Sequence, residues 1–323
     1  MKKYSTFIKY CCFLSVLLLF YYNELLTKPV IEQEIDYISC DSLLEYLSPP
    51  IPALLIDIEV LEQIERDHCH LQKEKSVNIG VNTKYKSEEA SLSKDSRFRV
   101  FFYTNSTKED YLHFDIIGKK KLIPKLFSYR TLKNMNVVKD IPQFLGFWQR
   151  ASFIKCAGDT HHKASQDQPT RDLSLLKTNL ISSGMSSFLT GSTLLSWYQQ
   201  CTINSAHLEL AVSSEELPYH FGKKLETEGI FSNFQVSRLD GTTENVQRIG
   251  VKSAFKTAID IVVVYEDEEN SRGTKKYFSN YDPYCSTDIH GQLFWVTCSP
   301  EKRLIEEFGD RWRENTNYNI SGK

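Results

Sequence analysis

The sequence predicts an α+β protein, a mixed α/β domain on a stem behind an N-terminal membrane anchor. An apolar run near the N-terminus indicates the anchor, and alternating helix-like and strand-like segments in the second half indicate the mixed domain. With 323 residues, 41% of them apolar and 25% charged, the chain can bury one large core or two smaller ones. The formal charge of −2 provides no positive field, so no nucleic-acid partner is expected.

The anchor is predicted at residues 10–26, after a cytosolic tail at residues 1–9 that contains three lysines. Basic residues on this side favour a cytosolic N-terminus, and no Ala-x-Ala-like cleavage site follows the apolar run. A run of about 17 residues is at the short end for a bilayer span. We therefore expect an uncleaved signal-anchor, with a cleaved signal peptide as the alternative. Either arrangement places the rest of the chain in the secretory pathway or outside the cell.

Cysteines and glycosylation sequons agree with that location. Six cysteines follow the apolar segment, and an even number allows complete pairing in an oxidising compartment. They are Cys40, Cys69, Cys156, Cys201, Cys285 and Cys298. Two Asn-x-Ser/Thr sequons make Asn105 and Asn319 candidate glycosylation sites.

Residues 27–95 are predicted to form the stem, and residues 96–174 an N-terminal luminal α/β region. The first range is rich in Asp, Glu and Lys and contains a Pro-Pro-Ile-Pro break, a composition typical of a spacer. In the second range a strand is predicted at 97–103 and a helix within 141–156. Two histidine groups, at 68–70 and 161–162, lack converging ligands, so a surface role is favoured over a metal site.

The range 175–323 has the most regular pattern and is predicted to be a separate domain. Its expected elements are a helix from Leu175, a short strand at 187–189, a Gly191–Ser192 turn, a helix through Gln200, strands at 207–212 and 258–266, and a closing amphipathic helix at 301–312. The strand at 258–266 is largely β-branched, which predicts a central place in the sheet.

Polar residues on two of these strands indicate a site. His207 and Glu209 stand at i and i+2 of one strand, so their side chains point to the same face. Asp260 interrupts the apolar run of the other strand, where an acid is costly unless it is paired, metal-bound or near the strand's end. A turn of small residues such as Gly191–Ser192 lets backbone N–H groups approach phosphates. The pattern favours a metal-assisted, phosphate-handling site, with a simple helix-start turn as the alternative for Gly191–Ser192.

The residues around these positions resemble the LicD/fukutin group of the nucleotidyltransferase superfamily. FLTGSTLLSWYQQC (188–201) is similar to the group's Phe-Leu-x-Gly-Gly-x-Leu-Leu-Gly-Trp-Tyr-Arg-x-Cys segment, and AIDIVVVYE (258–266) to its acid-bearing strand. YCSTDIHGQLFWVTC (284–298) resembles its pair of cysteines thirteen residues apart, and LIEEFGDRW (304–312) its closing helix. The resemblance covers about residues 175–312.

The resemblance implies a nucleotidyltransferase-like core, with a central mixed sheet flanked by helices, in a single-pass type II membrane protein of the Golgi or endoplasmic reticulum. The implied reaction transfers ribitol phosphate or phosphocholine from a CDP-linked donor to a glycan on a glycoprotein. Other glycosyltransferases are further implied partners.

The resemblance also implies roles for single residues. Asp260 and Glu209 are the implied catalytic residues and, with His207, the ligands of Mn²⁺ or Mg²⁺. Gly191 and Ser192 are the implied donor-binding residues. The segment at 284–298 implies one secondary candidate residue, Asp288. It also implies a disulfide between Cys285 and Cys298.

The chain departs from the group's pattern at the site itself. His207 and Glu209 stand where the group has two aspartates, and Ser192 replaces the second glycine of the turn. A glutamate moves the carboxylate outward by about an ångström, and a histidine nitrogen suits Mn²⁺ or Zn²⁺ better than Mg²⁺. Two hypotheses therefore stand: a metal-dependent transferase, and a catalytically inactive luminal binding or accessory protein in glycan modification.

Overall fold

The protein folds into two mixed β-sheets with helices packed against them, which confirms the predicted α+β class. The structure is a computed structural model. It describes residues 14–15, 18–19, 21–22, 37–66, 71–72, 75–92, 97–158, 168–203, 207–219, 221, 232–242, 246–266, 276–278 and 283–314.

The first sheet is built from seven strands within residues 53–138. The elements of this half are, in chain order, β1 (Tyr37–Ile38), α1 (Cys40–Tyr46), β2 (Ala53–Leu55), α2 (Ile58–Glu65), β3 (Leu71–Gln72), β4 (Val77–Asn82), α3 (Glu89–Leu92), β5 (Phe98–Thr104), β6 (Tyr111–Ile116), β7 (Lys119–Pro124), β8 (Tyr129–Leu132), β9 (Met135–Val138) and α4 (Ile141–Gln149). The strand order is β7-β6-β5-β4-β2-β9-β8, and β1 pairs with β3 apart from this sheet.

Residues 37–92 correct the prediction of a stem over 27–95. Strands β2 and β4 are internal strands of the first sheet. Helix α1 buries Leu43 and Leu44 completely, and Leu47, which caps the end of the helix, is also fully buried. The acidic and proline-rich flanks suggested a spacer, but the two short apolar runs between them are covered by the sheet and its helices. Burial of a leucine side chain contributes about 1.5–3 kcal/mol, which is enough to recruit such runs into a core.

Asp57 shows how this segment is anchored. Its Oδ1 accepts a hydrogen bond from Val60 N at 3.2 Å and so caps α2, while its Oδ2 accepts one from Asn78 N on β4 at 3.0 Å. The side chain is buried, and both of its oxygens are hydrogen-bonded. A capping aspartate contributes about 1 kcal/mol to helix stability, and here it also joins the helix to the sheet.

The second sheet carries the candidate site. Its half contains α5 (Gln168–Ser182), β10 (Ser187–Leu189), α6 (Gly191–Gln200), β11 (Leu208–Ser213), β12 (Phe234–Gly241), β13 (Val246–Ser253), β14 (Ala258–Glu266), β15 (Lys276–Phe278), β16 (Tyr284–Ile289), β17 (Gln292–Thr297) and α7 (Pro300–Phe308). The order is β12-β13-β14-β11-β10-β17-β16, with β15 beside the end of β14. Strand β14 is central, as its β-branched composition predicts, while α5 begins seven residues before the predicted helix start.

The two sheets meet along their edges through residues 152–154. Phe153 N donates a hydrogen bond to Lys120 O on β7 at 3.0 Å, and Ile154 N donates one to Ser286 O on β16 at 2.9 Å. One buried hydrophobic cluster contains side chains from both sheets. The halves therefore share a core and pack as one body.

A buried ion pair reinforces this junction. Lys177 Nζ on α5 lies 2.7 Å from Asp110 Oδ2 and 2.6 Å from the Leu293 carbonyl oxygen, and Asp110 Oδ1 accepts a hydrogen bond from Leu293 N at 2.7 Å. Asp110 directly precedes β6 of the first sheet, whereas Leu293 belongs to β17 of the second. Burial lowers the pKa of Lys177, and the Asp110 carboxylate opposes that shift.

Two disulfides close loops in the second half. Cys285 is bonded to Cys298 across the β16–β17 pair, which is the pairing that the resemblance implies, and Cys156 is bonded to Cys201 at the end of α6. Cys40 is disulfide-bonded as well.

Several predicted features fall outside the described residues. They are Asn319, the histidine groups at 68–70 and 161–162, and most of the anchor at 10–26. Among the residues that the structure does describe, no helix combines the length and apolarity needed to span a bilayer.

Candidate functional site

Glu209 and Asp260 lie side by side at the centre of the second sheet. Strands β11 and β14 are parallel, and their register pairs Glu209 with Asp260. Leu208 and Leu210, on either side of Glu209, are buried in the cluster beneath the sheet, so Glu209 points to the opposite face. The same alternation holds for Asp260 in β14. Neighbouring strands are about 4.8 Å apart, so the two carboxylates form a pair on one face.

The turn between β10 and α6 lies against Glu209. Gly191 has φ +56°, a left-handed conformation that favours glycine, and a Cβ at this position would lie 1.8 Å from Glu209 Oε2. Ser192 N, in the first turn of α6, donates a hydrogen bond to the same oxygen at 3.2 Å. Glycine is therefore favoured at 191 by the backbone conformation, and any larger residue would also have to push the Glu209 carboxylate aside.

His207 is linked to this turn through its backbone. Ser192 Oγ donates a hydrogen bond to the His207 carbonyl oxygen at 2.7 Å, and Glu209 N donates one to Thr193 Oγ1 at 2.7 Å. The His207 side chain is exposed, just before β11 begins. The structure thus brings together the predicted segments around residues 191–192, 207–209 and 260.

Two arginines that the sequence interpretation missed contact the carboxylates. Arg248 on β13 places Nη1 3.1 Å from Asp260 Oδ2 and Nη2 3.6 Å from Glu209 Oε1. Arg238 on β12 places Nη2 3.2 Å from Asp260 Oδ2. Gly250 on β13 pairs in register with Arg238 on one side and with Asp260 on the other. Because Gly250 has no side chain, Arg238 can extend across it to Asp260. A Cβ at position 250 would lie 3.3 Å from Asp260 Oδ1.

Glu307 occupies the other side of the turn. Its Oε2 accepts a hydrogen bond from Gly191 N at 3.0 Å, and its Oε1 accepts one from Thr190 Oγ1 at 3.0 Å. Arg303, one turn earlier on α7, pairs with Glu307 at 3.2 Å. The N-terminal amides of α6, which suit a phosphate, are therefore bonded to the protein's own carboxylates.

Asp288 lies apart from this site. It is on β16, three strands from β11, which corresponds to about 14 Å at roughly 4.8 Å per strand. Its Oδ1 accepts a hydrogen bond from Gly291 N at 2.8 Å in the β16–β17 turn. Burial and the neighbouring Asp288 carboxylate raise the pKa of Tyr111. These contacts give Asp288 a structural role at the sheet edge.

Within the described ranges, no group of three or more His, Cys, Asp and Glu side chains is arranged to hold a metal ion. The two carboxylates of the site face guanidinium groups instead. The sequence contained one signal for these arginines: in β13 an arginine and a glycine alternate with buried Ile249 and Val251. Such a pattern indicates a polar face above a buried one, but not the partner across the sheet.

Comparisons with known proteins cover both halves of the chain. The family described as W02B3.4-like, N-terminal domain matches residues 39–155, which comprise the first sheet, α4 and the segment that joins the sheets. Uncharacterized protein W02B3.4 of Caenorhabditis elegans is 34% identical over 318 residues, covering 90% of this chain and 81% of the relative. Uncharacterized protein T07A5.1 of the same nematode is 30% identical over 301 residues, covering 85% and 79%.

Proposed function

The chain belongs to the W02B3.4-like family, and we propose that it is a fukutin-like protein of the secretory pathway with a nucleotidyltransferase-like core. In this proposal it assists glycan modification as a non-catalytic luminal binding or accessory protein. One observation carries both parts: the Gly191 turn, Glu209 and Asp260 converge as a nucleotidyltransferase site requires, yet Arg248 lies between the two carboxylates.

The convergence supports the nucleotidyltransferase-like core. Three segments that are separated by up to about 70 residues along the chain meet at one place. In chain order they are the Gly191 turn, the strand that carries Glu209 and the strand that carries Asp260. A plain helix-start turn does not need to lie against a carboxylate on the strand that follows the helix, as the turn at Gly191 does with Glu209. The fit between Gly191 and Glu209 therefore favours a site over a simple turn.

The side chains at this site do not provide the ligands that a resident divalent cation needs. Oxygen-ligated Mg²⁺ or Mn²⁺ needs several convergent ligands, and the site offers two carboxylates whose negative charges already face Arg238 and Arg248. The third implied ligand, His207, has an imidazole and so contributes no negative charge. Because phosphate transfer from a nucleotide depends on cations that neutralise the phosphates, these residues favour binding over catalysis.

A transferase is the second candidate function. It is supported by the solvent exposure of the ion pairs between the arginines and the carboxylates. The Arg248 and Asp260 side chains are 34% and 28% exposed, and ion pairs near the surface contribute only about 0–1 kcal/mol each. A Mn²⁺ ion that arrives with a CDP-linked donor can displace Arg248 at that small cost. His207, Glu209 and Asp260 would then hold the ion, and the turn at Gly191 and Ser192 would lie beside the donor.

Calorimetry and a turnover assay separate the two candidates. Full-length protein is titrated with Mn²⁺ alone and with CDP-ribitol or CDP-choline in the presence of Mn²⁺. CMP release is measured alongside with a mixture of glycoproteins added, because a glycan hydroxyl must accept the phosphate-linked group as CMP leaves. The comparison variant is His207→Asp combined with Glu209→Asp, which restores two aspartates. The non-catalytic proposal expects neither Mn²⁺-dependent donor binding nor CMP release from the wild type, and gain of donor binding in the double variant.

Three other results contradict a part of the proposal. Mn²⁺-dependent donor binding by the wild type without CMP release would show that Arg248 does not keep the cation out. CMP release by the wild-type protein would establish the transferase. Absence of binding in both proteins would contradict the nucleotidyltransferase-like core itself, provided that the double variant retains the wild-type melting temperature.

A secretory location, with the domain in the Golgi or endoplasmic reticulum lumen behind a type II anchor, belongs to the same proposal. The Cys156–Cys201 and Cys285–Cys298 disulfides support an oxidising compartment. Asn105 is exposed in the loop between β5 and β6, where an oligosaccharide can be accommodated. A mobility shift after peptide N-glycosidase treatment, lost in Asn105→Gln combined with Asn319→Gln, tests luminal exposure.

A further inference from the structure

A cleft of about 400 Å³ lies between the two halves of the chain, away from the carboxylate pair. One wall is the α4 surface, with Pro142, Gly146 and Phe147, and the other is the end of α5 with Ile181 and Met185. The cleft is lined by Ser186, which directly precedes β10, whereas Gly191 lies beyond the other end of that strand. The two sites are therefore at opposite ends of β10. Its volume lies within the range of small-molecule sites.

The inner end of the cleft is a neck of charged and polar groups. Arg150 Nη2 lies 2.8 Å from Glu216 Oε1, and Arg150 also donates a hydrogen bond to Ser186 Oγ. The second Glu216 oxygen accepts a hydrogen bond from Ser186 N. The Arg150 and Glu216 side chains are each 25% exposed, so both remain accessible from the cleft.

Beyond the neck lies a chamber of about 30 Å³, lined by Phe188, Tyr284, Ser187 and Trp295. The Trp295 indole stacks on Phe147 of the cleft wall, with ring centroids 5.6 Å apart. Within the described part of the chain, Trp295 Nε1 and Ser187 Oγ are buried without a hydrogen-bond partner. Both atoms are closed to a water-sized group, so the surrounding side chains must shift before a ligand reaches them. A buried polar group left unsatisfied costs about 1–3 kcal/mol, and a ligand hydroxyl that accepts these hydrogens after the shift recovers that cost.

The charges around the neck select a neutral ligand. An anionic group would approach Glu216, and a cationic group would approach Arg150. Adjacent hydroxyl groups suit the neck, because they can accept from the guanidinium and donate to the carboxylate. The chamber has room for one small group, and a hydroxyl can accept the Trp295 N–H. The apolar walls suit the C–H faces of a ring.

We propose that this cleft binds a neutral pyranose sugar, with a hydroxyl or hydroxymethyl group in the chamber and neighbouring hydroxyls on Arg150 and Glu216. The site goes beyond the proposed function, because it uses none of the residues around Gly191, Glu209 and Asp260. It places carbohydrate recognition at the junction of the W02B3.4-like N-terminal domain with the second half.

The test uses saturation-transfer NMR and calorimetry on the full-length protein. The probes are the methyl pyranosides of glucose, galactose, mannose, xylose and N-acetylglucosamine, with mannose 6-phosphate as the charged comparator. Gly146→Met places a long side chain in the cleft. Gly146→Ala is its matched control, because a Cβ at 146 makes only an ordinary contact, 3.8 Å from Arg150 Nη1. Trp295→Phe removes the unpartnered N–H.

We expect at least one neutral pyranoside to bind the wild type and the Gly146→Ala variant, and binding to weaken about tenfold or more in Gly146→Met and in Trp295→Phe. Mannose 6-phosphate should bind more weakly than methyl mannoside. Binding that survives Gly146→Met, or a wild-type protein that binds none of the neutral probes, would overturn the proposal. In the His207→Asp, Glu209→Asp background, which is expected to gain donor binding, the Gly146→Met and Trp295→Phe substitutions should leave that donor binding unchanged. Failure of the sugar site is therefore distinct from failure of the carboxylate site.

Discussion

Arg248 donates a hydrogen bond to Asp260 across the β13–β14 pair, with 3.1 Å between Nη1 and Oδ2. Its second terminal nitrogen lies 3.6 Å from Glu209 Oε1, so one guanidinium contacts two adjacent carboxylates. Arg248→Met removes that charge and leaves Arg238 as the remaining guanidinium beside Asp260. Two negative charges then face one positive charge, so the site attracts a cation more strongly. We expect Mn²⁺ affinity, measured by electron paramagnetic resonance of free Mn²⁺, to rise about tenfold or more over the wild type.

Lys252→Met is the matched control for this prediction. Lys252 lies four residues along β13 from Arg248, on the same face, and is exposed. It pairs in register with Ala258, as Arg248 does with Val262. Its loss changes the net charge equally without exposing the carboxylate pair. An equal rise in both variants would show that general charge, and not the position of Arg248, governs Mn²⁺ binding.

Gly191→Ala should destabilise the fold. The residue would have to keep φ +56° with a Cβ, at a cost of about 1 kcal/mol, and its methyl would displace the Glu209 carboxylate, which lies at 1.8 Å. We expect a total loss of about 2–3 kcal/mol in the free energy of unfolding, measured by urea denaturation. In a Glu209→Ala background the steric part disappears, so the same substitution should cost only about 1 kcal/mol there. Equal costs in both backgrounds would mean that Glu209 does not hold the turn.

The Lys177–Asp110 pair predicts an asymmetry between its two single variants. Lys177 is almost wholly buried, whereas the Asp110 side chain is 29% exposed. Asp110→Ala strands a buried ammonium and should cost about 3–5 kcal/mol, while Lys177→Met leaves an acid that water and Leu293 N can still solvate, at a smaller cost. Urea denaturation of both variants measures the difference. A larger loss in Lys177→Met would contradict this account of the junction between the sheets.

The site illustrates what local sequence can predict. The i and i+2 spacing put His207 and Glu209 on one face, and the acid inside a β-branched strand marked Asp260. The register that pairs Glu209 with Asp260, however, arises from strand pairing over about 50 residues. Arg238, Arg248 and Glu307 were missed for the same reason, because each reaches the site from a distant element.

The first half illustrates the limit of composition. A run of β-forming residues predicts a strand at 97–103, which is observed as Phe98–Thr104, whereas the polar and proline-rich flanks of β2 and β4 predict a stem. Their burial depends on the neighbours they meet in the sheet, which no window of sequence contains. The polar and proline-rich composition around β2 and β4 disfavours strands, but packing inside the sheet outweighs that local preference.

His113 on β6 predicts that stability falls in mildly acidic conditions. Burial, and next the positive charge of Lys120, lower the pKa of the imidazole below its ordinary value of 6.5, and Nε2 is buried without a hydrogen-bond partner among the described residues. The unfolded chain therefore binds a proton more readily than the folded one between the lowered pKa and 6.5. Stability from this group is fully present above that window and is lost as the pH falls through it.

His113→Gln should therefore reduce the pH dependence of unfolding. We expect the melting temperature of the wild type to drop between about pH 7.5 and about pH 5.5 by more than that of the variant, because glutamine does not titrate. Carboxylates common to both proteins contribute equally to each drop and cancel in the comparison. His290, which lies 3.3 Å from Thr202 Oγ1 in the turn between β16 and β17, offers a control through His290→Gln. If that variant alone removes the drop, the acid sensitivity belongs to the turn and not to the first sheet.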